Sequence, residues 1–514
     1  MTIARPLSTR RRWRLAVSMT IVVGLVVAAC APAPSLPSFI GSPATANPVG
    51  SASPMHPYLD DTVSNSMHGN SYNTDSHTPT GPLGSGTTIG TWSYGALCAA
   101  QEFDSAGHLF TVCGALSGFV LQALDPQTGA IIARQDLPNR VSSQQATFTG
   151  NVQLIYNDTS GGAYFFLDHL GRVVLVDANQ ELRVFQLTGS SFTEVANYPL
   201  VSYLTERDCF QSPGNLHPSG RCDVITSVMP DWSGRYWWVS RLGVVGTVDP
   251  GTGSVRTISL PGEEIENSVA VDANGVYVLS DFAQYKMTAD PSGTPSIVWR
   301  EEYDHSGGIR PGQVSLGSGT TPTLVGSDLL AIADGADPVR VVIMKRDTLI
   351  SGPRTLCTVP VFGAGASAAE NSMTTDGSGS AVAVQNTYGY SNPTSLPGGT
   401  TVPGGVTRID IDRGAGTCGV AWTNPTPIPS STMKLSSGAG LLYGYSKQAD
   451  SAGRDVWYWT AIDWRTGATV YQALAGATQG LTSPINSNWG VISIGPDGTA
   501  YMGILDGMLK IKDL

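Results

Sequence analysis

The sequence predicts an all-β protein, a β-propeller of eight four-stranded blades closed into a ring by an N-terminal strand, with seven blades as the alternative. Three observations carry this prediction. Residues 261–303 (PGEEIENSVAVDANGVYVLSDFAQYKMTADPSGTPSIVWREEY) alternate short apolar runs with turn signals and read as one sheet, with strands near 269–271, 276–280, 284–288 and 296–300. A turn of the form Asp-x-x-Thr-Gly recurs at Asp125-Pro-Gln-Thr-Gly129, Asp249-Pro-Gly-Thr-Gly253 and Asp463-Trp-Arg-Thr-Gly467. Asp accepts backbone N–H groups inside such a turn, Pro presets φ, and Gly takes the left-handed position. A second turn recurs before an aromatic strand, as in Asp231-Trp-Ser-Gly-Arg-Tyr-Trp237, Asp272-Ala-Asn-Gly-Val-Tyr277 and Asp497-Gly-Thr-Ala-Tyr501.

The chain begins with a basic head, Arg5 and Arg10–Arg14, followed by an apolar run over 15–27 that ends in Val27-Ala28-Ala29-Cys30. A short apolar run closed by small residues reads as a secretory signal over 1–29 rather than a membrane span. Cys after two alanines resembles the lipobox of bacterial lipoproteins. That resemblance implies a lipidated Cys30 at the mature N-terminus, attachment to the cell membrane and an extracytoplasmic location. The leader holds five Arg and no acid, so its removal takes the net charge from −11 to −16. Such a surface repels phosphate backbones, and nucleic acid is not an expected partner.

Residues 30–82 read as the lipidated Cys and a flexible linker, rich in Ala, Pro, Ser, Asn and Thr and too poor in large apolar residues to fold alone. The stretch 67–82, MHGNSYNTDSHTPTGP, holds His68, Tyr72 and His77 and has docking across the domain as its alternative. The propeller spans 83–514. Its units fall near 96–138, 145–200, 222–261, 265–304, 318–361, 369–424, 432–475 and 479–514. The period is about 45 residues, the length of a four-stranded blade. The last unit is short of a strand, which the β segment at 86–94 can supply, removing exposed sheet edges. Segments 204–221 and 391–403 read as rim insertions.

Six Cys remain after Cys30, an even number for an oxidising compartment. Sequence proximity favours Cys98–Cys113, Cys209–Cys222 and Cys357–Cys418, among fifteen connectivities that six Cys allow. Trp237-Trp238 and Trp457-Tyr458-Trp459 read as core packed on neighbouring blades rather than as sugar platforms, because both faces of a blade are covered.

The Asp-x-x-Thr-Gly turns make the repeat similar to the PQQ-like repeat of quinoprotein-type propellers. That family would imply PQQ, a calcium ion and an adjacent Cys pair. The chain has no Cys-Cys pair, so PQQ is not an expected cofactor.

A repeated tripeptide is the sharpest candidate site. Glu266-Asn267-Ser268 and Glu370-Asn371-Ser372 each open an inner strand, with Asp272 and Asp376 at the same offset. Equivalent positions of different blades converge near a propeller axis, and Asn486 would come from a third blade. Oxygens from Glu266, Asn267 and Asn371 suit Ca²⁺, a hard cation wanting six to eight of them. The set is similar to the calcium site of lactonase-type six-bladed propellers of the paraoxonase group. The alternative is that these residues satisfy backbone groups at blade starts. Ser431-Thr-Met-Lys434 matches S-x-x-K in letters but lacks the helix that chemistry needs. The expected function is therefore a membrane-anchored propeller binding a small molecule in its central channel, through Glu266, Asn267, Glu370, Asn371 and Asn486, with Ca²⁺ as a candidate ion. A metal-dependent lactonase or esterase, and a scaffold for another envelope protein, are the alternatives.

Overall fold

Eight antiparallel sheets of four strands follow one another along the chain in the computed structural model, which describes residues 35–514 other than 116, 150–157, 159, 208–221, 314–315, 394, 396–397 and 480–482. The leader, Cys30, Cys209 and most of 204–221 lie outside the described residues. The innermost strands of blades 1 to 8 are Leu97–Phe103, Phe166–Leu167, Ile225–Pro230, Ala270–Asp272, Thr323–Val325, Thr374–Thr375, Lys434–Ser436 and Ile492–Ile494. Each leads outward through three further strands, in sequence order. Blade 8 takes its outermost strand, Thr88–Ser93, from the N-terminal side, paired antiparallel with Gly507–Lys512. The eight units and the ring closure match the sequence expectation. One difference is a helix, Val141–Thr149, at the start of the second unit.

The recurrent turns work as their residues dictate. The Asp125 carboxylate accepts the N–H groups of Gln127 and Thr128, both at 2.8 Å, and Gly129 takes φ +74°. A side chain at Gly129 would collide with the Trp92 ring, its Cβ 2.4 Å from that ring. The aromatic strands are core: Trp237, Trp238, Trp457 and Trp459 are fully buried, and Tyr445 stacks on Trp457 at 5.0 Å. Cys98–Cys113 links the two inner strands of blade 1, and Cys357–Cys418 links the outer strands of blades 5 and 6. Cys222 is disulfide-bonded.

Within 30–82, the described residues 36–82 pack with the blades, as the docking alternative for 67–82 has it, rather than forming a flexible linker. Residues 36–514 form one compact unit, and most of 64–77 is buried. The segment lines the inside of the ring and meets the inner strands of seven blades, 1, 2 and 4 to 8. Phe103 N–H donates to Ser64 O (2.8 Å), Leu167 to Asn65 O (2.9 Å), Val271 to Ser71 O (2.7 Å), Leu324 to Tyr72 O (2.9 Å), Thr375 to Thr74 O (3.0 Å) and Leu435 to Asp75 O (2.8 Å). Ile494 N–H donates to His77 Nδ1 at 3.0 Å, and the His56 ring sits 4.2 Å from Trp232, just past the inner strand of blade 3. Ser76–His77 also pairs as a short parallel strand with blade 7. The composition argument fails here for a physical reason. Inner strands are sheet edges with unpaired donors, and a polar segment satisfies them with its backbone.

A buried charge cluster locks this plug. Asp75 and Lys434 are both 0% exposed in their side chains, with Lys434 Nζ 2.5 Å from Asp75 Oδ1. His68 Nδ1 lies 3.1 Å from Asp75 Oδ2, Ser372 Oγ bonds to both, and His68 Nε2 meets Thr321 Oγ1 at 3.2 Å. Burial alone would raise the Asp75 carboxyl, but Lys434 and His68 outweigh it and hold it at about 2. Asn73 and Asp75 take positive φ (54° and 48°), a conformation that short Asn and Asp side chains tolerate best.

Removing one partner of such a pair leaves an uncompensated buried charge. Lys434→Met is expected to cost about 3–5 kcal/mol in denaturant unfolding, with much of the loss recovered in Asp75→Asn/Lys434→Met. The Asp75 carboxyl is depressed from 3.8, so its stabilisation is present above that value and lost as pH falls towards 2. This acid-dependent loss should be absent in the double variant.

Candidate functional site

The strand order fixes where the site residues lie. Each inner strand runs from one mouth of the ring, here the upper, to the other, the lower. Glu266, Asn267, Glu370, Asn371 and Asn486 all precede inner strands and sit at the upper mouth. The turns after the inner strands, including Asp376–Gly377 and Ser437, sit at the lower mouth.

Each Asn of the repeated tripeptide reaches one blade ahead. Asn267 Nδ2 donates to Gly319 O in blade 5 (2.6 Å), and Asn371 Nδ2 to Ser431 O in blade 7 (3.4 Å). Their oxygens accept as well: Asn267 Oδ1 from the Tyr164 hydroxyl at 3.1 Å, Asn371 Oδ1 from the Thr432 hydroxyl at 3.0 Å. Gly319 brings the two tripeptides together. It accepts from Asn267, and the Glu370 carboxylate packs on its other side, so that a Cβ there would lie 2.4 Å from the Glu370 oxygens. The small residues of 317–323 thus serve close packing between blades. Asn486 continues the ring from blade 8. Its Oδ1 accepts from Tyr390 Oη (2.8 Å) and from Asn488 N–H (2.9 Å), while Ser487 Oγ meets Ser430 Oγ at 2.7 Å.

Glu266 is 5% exposed and pairs with Arg241 at 2.9 Å. Burial raises its carboxyl to about 7, with Arg241 opposing the rise. Burial also raises the Tyr164 hydroxyl, with Asp75, Glu370 and Glu266 adding to the shift. Tyr164 therefore stands among the acidic groups of the mouth, and its ring lies 5.9 Å from His68 of the plug. The plug is the floor of this mouth.

The donor set fits a calcium ion poorly. Each Asn oxygen already accepts a hydrogen bond, Glu266 is bound to Arg241, and the described residues hold no group of three or more His, Cys, Asp or Glu able to take a metal. No chemistry is therefore derived through a metal. Ser431 and Lys434 do not act together: Ser431 Oγ accepts from Tyr445 N–H at 3.0 Å, while Lys434 serves Asp75. Sequence reasoning did not single out Asp75, Tyr164 or Lys434 as a site. The readable trace of the plug was the Asn- and Asp-rich run 70–75, whose residues suit left-handed turns.

The Glu266 carboxyl is raised from 4.5 to about 7, so its contribution to stability is full below 4.5 and declines as pH rises through 7. Melting temperatures from acid to neutral pH should show this decline in the wild type and a flatter profile in Glu266→Gln.

No family model matches the chain. An uncharacterised protein of Archaeoglobus fulgidus is 28% identical over 326 residues, 56% of this chain and 61% of that protein, so the match takes in less than two thirds of the relative's length. Among solved structures, the quinohemoprotein alcohol dehydrogenase of Comamonas testosteroni is similar, with a TM-score of 0.54 and 13% identity over 88% of this chain and 80% of that one. BamB of Moraxella catarrhalis aligns with a TM-score of 0.37 and 12% identity, over 67% of this chain and 94% of its own. The likeness to the dehydrogenase is one of fold alone: the chain is an eight-bladed β-propeller.

Proposed function

We propose that the chain is an extracytoplasmic, membrane-anchored binding propeller whose working surface is the upper mouth. One observation carries this reading: the chain's own residues 56–77 bond to the inner strands around the axis, and we read the mouth around Asn267, Glu370, Asn371 and Asn486 as a cup closed from below by that segment. A ligand engages that cup from outside rather than passing through the ring.

The direction of the plug supports the same reading. Residues 39–51 run across the lower mouth, where Phe39–Gly41 pairs with the outer part of blade 7 and Asn47, Val49 and Ser51 donate to Ala439, Ser437 and Asp376. A lipid on Cys30 would stand nine residues upstream of Phe39, within about 30 Å of chain reach. At the upper mouth the carboxylates of Glu266, which pairs with Arg241, and of Glu370 keep acceptor capacity beyond one partner each, which suits a polar ligand rich in N–H or O–H donors.

Two measurements test the proposal together. Cys30→Ser should move the protein from the membrane pellet to the soluble fraction. A thermal-shift panel of amines, amino acids and nucleosides on the mature protein, with and without calcium or chelator, should contain a stabilising compound whose effect is lost in Glu370→Gln. A stabilisation that survives Glu370→Gln, or turnover of lactones or aryl esters at this mouth, contradicts the binding reading.

A further inference from the structure

The lower mouth holds a second cavity, of about 290 Å³, built almost wholly from the plug itself. Its rim is the exposed chain around Ser51, Pro54 and Asp61, and its floor is Asn65, Gly69, Ser71 and Thr74, all buried. Blades 6 and 7 add only Gly377 and Ser437.

The chemistry of this cavity is specific. Its polar lining consists of hydroxyls and amides, with no Lys or Arg and with Asp61 as its single carboxylate. His56 also lines it; burial lowers its ring to about 4, so it is neutral at physiological pH, and its Nδ1 accepts from Tyr58 N–H at 3.1 Å. Pro54, Met55, Leu59 and Val63 form an apolar wall. Several buried polar atoms of the lining have no hydrogen-bond partner among the described residues: Thr62 Oγ1, Asn65 Oδ1 and Ser71 Oγ. Asn65 and Ser71 are 6% and 1% exposed. Other lining groups are already engaged: Asn65 Nδ2 donates to Asp60 O at 2.7 Å, and Asn70 Nδ2 to Thr74 Oγ1 at 2.7 Å. A buried polar atom left unpaired costs about 1–3 kcal/mol, so three on the lining of one cavity point to a bound partner there, ordered water or a small ligand.

We infer that this cavity is a binding site for a neutral polyhydroxyl compound of monosaccharide size. The lining selects that class. A sugar or cyclitol matches unpaired hydroxyl and amide oxygens with O–H groups that donate and accept, and lays its C–H face on an aliphatic wall. An anion would meet no Lys or Arg, and a cation would find the one carboxylate, Asp61, out at the exposed rim rather than in the cavity floor. The volume lies at the small end of ligand pockets and exceeds the roughly 30 Å³ share of one water several-fold. The site lies at the mouth opposite the Asn267–Asn371 ring and does not depend on the reading proposed for that ring.

The test uses the mature protein and a panel of glucose, galactose, inositol and glycerol, with glucuronate and glucosamine as charged counterparts, titrated by calorimetry. Saturable binding of at least one neutral compound is expected. Thr62→Val/Ser71→Ala keeps the shape and removes two of the unpaired hydroxyls; it should weaken binding about tenfold or more without lowering the melting temperature of the unliganded protein. Ser71→Leu, which fills the floor, serves as the second variant and should abolish binding. The inference is overturned if no neutral compound saturates by about 10 mM, if the double variant binds as the wild type does, or if a crystal soaked with the panel shows water alone in the cavity.

Discussion

A propeller converges its innermost strands on one axis, and each of those strands is a sheet edge. The edge donors of Phe103, Leu167, Val271, Leu324, Thr375 and Leu435 all point inward, and each is met by a carbonyl of residues 64–75. The net gain per hydrogen bond is modest, about 1 kcal/mol, whereas a buried donor left unpaired costs more. The plug therefore matters chiefly because it removes that penalty around the ring. The Asp75–Lys434–His68 cluster then fixes its register, since a shift along the axis would strand a carboxylate at a site with no exposure.

The consequence for function is that the channel is not a conduit. At its upper end Asn267, Asn371 and Asn486 hydrogen-bond between blades, with His68 of the plug beside Tyr164. The lower end is a cavity shaped by the N-terminal segment itself. The two Asn side chains that looked like metal ligands act as clasps, each joining the start of one blade to the backbone of the next, while Glu266 pairs with Arg241. Such clasps hold the mouth in one geometry, which would keep the ordering cost of the proposed binding low.

Much of the fold was legible because its determinants are local. The Asp-x-x-Thr-Gly turns reveal themselves within five residues, since Asp125, Asp249 and Asp463 cap their own backbones. Ring closure was legible from counting strands: blade 8 lacked one and residues 88–93 had the pattern to supply it. Docking of 67–82 stood only as an alternative and its partners were not legible, because they lie hundreds of residues away and include backbone groups that composition does not register. Asp75 and Lys434 are 359 positions apart, and neither is unusual in its local sequence. The tripeptides lay between these extremes. Their convergence followed from symmetry, but Tyr164 and Gly319, which decide what the Asn side chains do, belong to segments with no shared pattern.

Hydrogen exchange along residues 64–77 tests the central claim most directly. In the folded protein, the Gly69, Asn73 and Asp75 amides, bonded within the plug to Ser66, Asn70 and His68, should exchange as slowly as those of the inner strands Val271 and Leu324. Exchange of this segment at the rate of an unstructured chain, with the blades still protected, would contradict a filled axis and return the channel to solvent.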